Sequence, residues 1–139
     1  MITKDTFVVL DGAKQPTLAT EHSAGFDLHA FDDYEIQIGQ TVILETGVSL
    51  KMPYGYYAMV CSRSGMAAKS STFVLNAPGI IDADYTDTIK VILHNTGHRP
   101  FNCKKGDRIA QLVFVPVVQV ATALKTSTER IGGLGSTGK

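Results

Sequence analysis

The chain is short of several things, and each shortage excludes something. It has two cysteines, Cys61 and Cys103, in 139 residues. Two thiols do not make a disulfide framework, so free thiols in a reducing compartment are expected. It has no excess of charge: thirteen basic and thirteen acidic residues give a formal net charge of zero. No broad electrostatic footprint for duplex nucleic acid or a membrane surface is expected, which leaves room for a local cluster that takes a small phosphorylated ligand. Long apolar runs are absent as well. The longest, 112–118, is interrupted by Pro116 and is too short to span a bilayer. The opening MITKDTFVVL lacks the apolar length and cleavage site of a signal peptide. The expectation is a soluble intracellular protein, cytoplasmic or nuclear. Helical signal is scarce too, and only RSGMAAKSS at 63–71 favours a short helix.

What is present is strand chemistry. Residues 34–38 alternate with period two, and 41–44, 56–60, 72–75, 89–93 and 109–120 are rich in β-branched or aromatic residues. Between them stand Gly39, Gly47, Pro53 to Gly55, Pro78-Gly79, Asn95-Thr96-Gly97 and Lys105-Gly106-Asp107, which are turn formers. Apolar residues make up 44%, enough for one globular domain with a real core. Many short strands with frequent turns predict an all-β sandwich or barrel. From residue 125 the apolar pattern is lost and the chain turns glycine-rich, which predicts a mobile tail.

The stretch PGIIDADYTDTIKV at 78–91 carries the first candidates for chemistry. Asp82 and Asp84 stand beside Ile80, Ile81 and Tyr85 in an apolar run. Acids are costly there unless paired, hydrogen-bonded or used, and a carboxylate in a half-dry pocket can act as a base toward water. Asp is equally at home in a hairpin turn, so both readings stand at this point.

Four further motifs bear weighing. GLGSTGK at 133–139 matches the opening of a P-loop, but no following residues supply the helix whose N-terminus holds phosphate. What survives is glycine-rich backbone that can wrap a phosphate, with Ser136 and Thr137 hydroxyls and the Arg130 guanidinium nearby. Arg63 and Ser64, at the start of the expected helix, can bind an anion through side chains and free backbone N–H groups. Asp27, between apolar neighbours in AGFDLHA at 24–30, is either an acid near a cation or a strand-entry Asp bonded to backbone. Gln111 is polar within an apolar strand and needs a partner, either phosphate or backbone. His94 and His98 are separated by a turn and have no third ligand nearby, and His22 and His29 have no evident partners, so no protein-liganded metal site is expected.

Read in order, these segments resemble the motifs of the homotrimeric dUTPase family. AGFDLHA at 24–30, SRSGMAAK at 62–69, NAPGIIDADY at 76–85, KGDRIAQLVF at 105–114 and GGLGSTG at 132–138 are similar to that family's five motifs, in the right order and across nearly the whole chain. The resemblance implies a distorted jelly-roll or β-clip-like barrel over 1–125, with the tail, 126–139, closing over an active site shared between subunits of a trimer. It implies hydrolysis of dUTP to dUMP and pyrophosphate with Mg²⁺. Asp82 would position the attacking water, and Tyr85 would pack under the deoxyribose. Asn76 and Gly79 would belong to the hairpin that reads uracil. Arg63, Ser64, Gly65, Lys90 and Gln111 would bind substrate around the phosphates and pocket wall. Asp27 would meet metal-bound waters without ligating the metal. Arg130, Leu134, Gly135, Ser136 and Thr137 would form the closing tail.

The chain departs from the family pattern in three places. Leu134 stands where Phe usually stacks on the base, and leucine lacks a π-face, which predicts a looser lid. Arg130 sits one residue nearer the glycines than usual. Asp87-Thr88 replaces the usual Gly-Glu after the tyrosine. Two other functions are compatible with the same fold. Deamination of dCTP needs an acid, usually Glu, beside the base, and no Glu lies between Glu45 and Glu129. A nucleotide-gated regulatory protein would keep the site and use it as a switch.

Overall fold

The computed structural model describes residues 1–118, 130 and 132–135. Among them are twelve strands, one short 3₁₀ turn at Lys4–Thr6 and one α-helix. In chain order the strands are β1 (Phe7–Val9), β2 (Thr17–Leu18), β3 (Gly25–His29), β4 (Tyr34–Ile36), β5 (Thr41–Glu45), β6 (Val48–Leu50), β7 (Tyr56–Cys61), β8 (Thr72–Val74), β9 (Gly79–Ile81), β10 (Lys90–Asn95), β11 (Phe101–Cys103) and β12 (Arg108–Pro116). Helix α1 (Ser64–Ser70) lies between β7 and β8. None of its described helices is long and apolar enough to cross a membrane.

All described pairings are antiparallel. A five-stranded sheet runs β2-β3-β12-β7-β9, a three-stranded one runs β5-β10-β8, and β1-β6 and β4-β11 form pairs. The sheets keep open edges, so the all-β expectation holds without a closed barrel. Burial follows the period of two. On β10, Val91, Leu93 and Asn95 point inward while Lys90, Ile92 and His94 face outward. Leu28, Ile36, Leu44, Ile89, Leu93, Ile109 and Leu112 form the fully buried centre. Phe7, Phe26 and Phe114 pack edge-on or tilted at centroid distances of 5.1–5.8 Å.

Where strands end differs from expectation for identifiable reasons. The alternation over 34–38 stops pairing at Ile36 because Gln37 and Gln40 close a turn, Gln40 N–H to Gln37 O at 3.0 Å and Gln37 N–H to Gln40 Oε1 at 2.9 Å. The strand expected over 109–120 ends at Pro116, which has no N–H for the ladder, and Val117 N–H goes instead to Gly55 O at 2.9 Å. Residues 119 and 120, like most of the predicted tail, lie outside the described residues. The expected helix is present. It is seven residues long, buries Met66, and stops at Ser71, whose φ of 49° and N–H to Ala67 O make a left-handed cap.

Candidate active site

β9 lies at the edge of the five-stranded sheet, paired with β7. Ile81 points into the core and Ile80 out of it. Directly after Ile81 the chain turns, with Tyr85 N–H donated to Asp82 O at 3.1 Å. Both acids are therefore turn residues, and their carboxylates leave the sheet toward one cation. Arg130 Nη1 donates to Asp82 Oδ2 at 2.6 Å and to Asp84 Oδ1 at 3.2 Å. Its guanidinium stands 5.3 Å from the centre of the Tyr85 ring. Bonding to Asp82, ahead of Asp84, holds the Arg130 guanidinium more firmly protonated than usual.

Around that ring is a cleft of about 100 Å³ whose walls include Asn76, Gly79, Ile80, Tyr85 and Lys90, with Gly133 and Leu134 from the C-terminal segment. Tyr85 donates its hydroxyl to Thr88 O at 3.0 Å. Burial, before any charge, pushes its pKa up, so the hydroxyl stays a donor. Gly133 packs on the ring so closely that a Cβ there would stand 2.6 Å from Tyr85 Cε1. Leu134 is 65% exposed and so lies at the rim of the cleft.

A second cluster forms where β3, β12 and the start of α1 meet. Asp27 and Gln111 are cross-strand neighbours, and Gln111 also faces Cys61 on β7. Arg63 Nε lies 3.9 Å and Arg108 Nη1 3.6 Å from the Asp27 carboxylate, which is 17% exposed. Gln111 Nε2 donates to Ser62 O at 2.9 Å, so it has a backbone partner. Gly25 leaves the space that Gln111 fills, since a Cβ would fall 2.5 Å from its Oε1. Arg63 caps α1 without a side-chain bond to the helix. Ser64 and Gly65 form its exposed first turn, where backbone N–H groups have no intrahelical acceptor.

The candidates thus fall into two groups. Asn76, Gly79, Asp82, Tyr85, Lys90, Arg130, Leu134 and Gly135 lie on or beside the cleft side, and Asp27, Arg63, Ser64, Gly65 and Gln111 on the other. Among the described residues no ion pair or hydrogen bond joins the groups. Ser136 and Thr137 lie outside the described residues. His94 sits on β10 with Nδ1 2.8 Å from Thr41 Oγ1, and His98 lies in the turn that follows. Two side chains escaped the sequence reading: Arg108 against Asp27 at 3.6 Å and Glu45 beside Lys90 at 3.8 Å. Nothing local marks them, because each meets its partner through strand register. Burial pushes the Cys103 thiol up to about 11, which makes it an inert core residue.

A protein-family model described as dUTPase matches residues 11–138. The chain belongs to the dUTPase family. A deoxyuridine 5'-triphosphate nucleotidohydrolase of Nautilia profundicola is 44% identical over 128 residues, covering 89% of this chain and 90% of that protein. The dUTPase of Streptococcus mutans superposes with a TM-score of 0.77 at 27% identity, covering 83% of this chain and 98% of that one. The dUTPase of Staphylococcus aureus phage phi11, described with a structural Mg(II) ion, superposes with a TM-score of 0.76 at 22% identity over 89% of this chain and 97% of its own. Its likeness bears on fold alone, and these neighbours are dUTPases of jelly-roll fold. Within this family the chain is an enzyme of dUTP hydrolysis.

Among the described residues no three His, Cys, Asp or Glu side chains gather as a metal cage. The donor set still suits a hard cation delivered with a triphosphate. Asp27, flanked by Arg63 and Arg108, offers carboxylate oxygens to metal-bound waters, and magnesium commonly keeps several waters beside its phosphate oxygens.

Proposed function

We propose that the protein hydrolyses dUTP to dUMP and pyrophosphate by in-line attack of water on the α-phosphorus. The single observation that carries this reading is Asp82 standing beside Tyr85 at the mouth of the cleft, within reach of a cation from the C-terminal segment. In the mechanism Asp82 orients the water and takes its proton. Tyr85 packs under the sugar and leaves no room for a 2′-hydroxyl. Asn76 and the backbone near Gly79 read the uracil edge, while Lys90 walls the cleft. Such a hairpin rejects thymine for lack of space and cytosine by mismatched donors and acceptors. Arg63, Ser64, Gly65 and Gln111 hold the phosphates. Arg130 exchanges its carboxylates for phosphate oxygens when substrate enters, which frees Asp82 at the moment it is needed. Magnesium bound with the triphosphate would lie where Asp27 meets its waters and would offset charge on the phosphate oxygens. Positioning and electrostatics supply most of the rate gain.

The reading has two further parts, both implied by the family resemblance. Residues 1–125 form the core, and 126–139 carry Arg130, Leu134, Gly135, Ser136 and Thr137 over the nucleotide as a lid. The active protein is a homotrimer whose sites lie between subunits. The deciding experiment measures pyrophosphate release from dUTP, dCTP, dTTP and UTP with Mg²⁺. Release from dUTP alone is expected, and equal release from all four would refute the specificity.

A further inference from the structure

Glu45 and Lys90 face each other across the β5–β10 ladder. The carboxylate between them does more than pair with an ammonium. Its Oε1 accepts the N–H groups of Thr46 and Gly47 at 3.0 and 2.9 Å, which fixes the side chain at the end of β5. Its Oε2 accepts the Thr88 hydroxyl at 2.9 Å and stands 3.8 Å from Lys90 Nζ. Lys90 Nζ also lies 3.4 Å from Thr88 O and 3.5 Å from Asp87 Oδ2. Thr88 O is the acceptor of the Tyr85 hydroxyl. A continuous chain of bonds therefore runs from the backbone just after β5, through Glu45 and Thr88, to the ring that walls the cleft. Bonds to an ionised carboxylate are the stronger kind, and linked bonds stiffen one another. Residue 88 is Thr where the family resemblance leads to Glu, and here the carboxylate beside Lys90 comes from the facing strand.

We infer that Glu45 is a positioning residue of the nucleotide pocket: it anchors the segment 86–90 and, through Thr88, sets where the Tyr85 ring stands, and so how strictly the enzyme excludes ribonucleotides. Glu45 does not line the cleft and touches no substrate. The inference rests on the proposed role of Tyr85 as the ring under the sugar. Exclusion of one added hydroxyl depends on close contact, so a ring free to shift by a fraction of an ångström admits it.

The test compares kcat/KM for dUTP and UTP in the full-length protein. Glu45→Gln keeps size and an acceptor for the two N–H groups but removes the charge that faces Lys90. The ratio is expected to fall about tenfold, with the change in KM for dUTP larger than that in kcat. Thr88→Val, which breaks the bridge and leaves Glu45 on its backbone donors, should lower the ratio in the same direction. The double variant Glu45→Ala, Thr88→Glu returns a carboxylate to Lys90 from its own strand and should restore much of the ratio lost in Glu45→Ala alone. An unchanged ratio in Glu45→Gln, with melting temperature and oligomeric state intact, overturns the inference. Should Glu45→Gln not fold, an unchanged ratio in Thr88→Val does the same. Tyr85→Ala run alongside separates the two failures. If it collapses the ratio while Glu45→Gln does not, only the positioning role of Glu45 is lost. If it too changes nothing, the sugar-contact reading falls with it.

Discussion

Arg130 and Asp82 are 48 positions apart in the chain and meet at 2.6 Å, the guanidinium lying against the very carboxylate proposed to activate water. Asp82 is 58% exposed and Arg130 only 20%, so the cation is the more confined partner. An exposed pair of this kind contributes little to stability. Its interest is functional, because the Asp82 oxygen bonded to Arg130 is occupied until the cation is drawn away.

Asp82→Asn keeps the shape and removes the base. Turnover of dUTP should fall by about 10²- to 10⁴-fold, while the dissociation constant stays within a small factor. Steady-state pyrophosphate release and calorimetric titration check the two halves. Persistent turnover would move the base to another residue, Asp84 first.

Tyr85→Phe keeps the ring and deletes the bond to Thr88 O. A loss of about 1 kcal/mol of stability is expected, with uracil-sugar selection weakened far less than in Tyr85→Ala. Denaturant melts and the dUTP-to-UTP ratio read these separately.

Gly133→Ala places a Cβ 2.6 Å from the Tyr85 ring and must push the C-terminal segment off the cleft. Hydrolysis should drop about tenfold or more with little change in melting temperature, since Gly133 belongs to no sheet. Deleting residues 130–139 should act in the same direction and further. Leu134→Phe adds a π-face at the rim, and its KM for dUTP should fall about two- to tenfold.

His29 is 5% exposed, and its Nδ1 is buried with no hydrogen-bond partner among the described residues. Burial, then the positive charge of Lys14, lower its pKa, with Arg108 and Arg63 adding and Asp27 opposing. The folded state therefore binds the proton less readily than the unfolded one. The stability this represents is present above the unfolded value of about 6.5 and is lost as pH falls through the lower folded value. The melting temperature should decline on acidification below about pH 6.5, and His29→Leu should flatten that limb. An identical decline in His29→Leu would assign the acid sensitivity to carboxylates instead.

The residues announced much of the fold before any coordinates. The strands at 41–44, 56–60 and 89–93 and the helix at 63–71 correspond to β5, β7, β10 and α1, because each contains enough consecutive residues for a period or a propensity to register. β1, β2, β6 and β11 escaped because two or three residues carry no period. Five ordered motifs sufficed for the family, since each is a contiguous string whose meaning does not depend on where it lies in space.

Partnership was settled elsewhere. That Glu45 stands opposite Lys90, that Asp27 lies between Arg63 and Arg108, and that Arg130 reaches Asp82 are consequences of strand register and of the path the chain takes between strands. A slip of one residue in any of these ladders would turn each side chain to the opposite face and dissolve the pairing without altering a letter of the sequence. Residue type and local order decided which chemistry is available, and only the packing of sheets against one another decided which groups meet to use it.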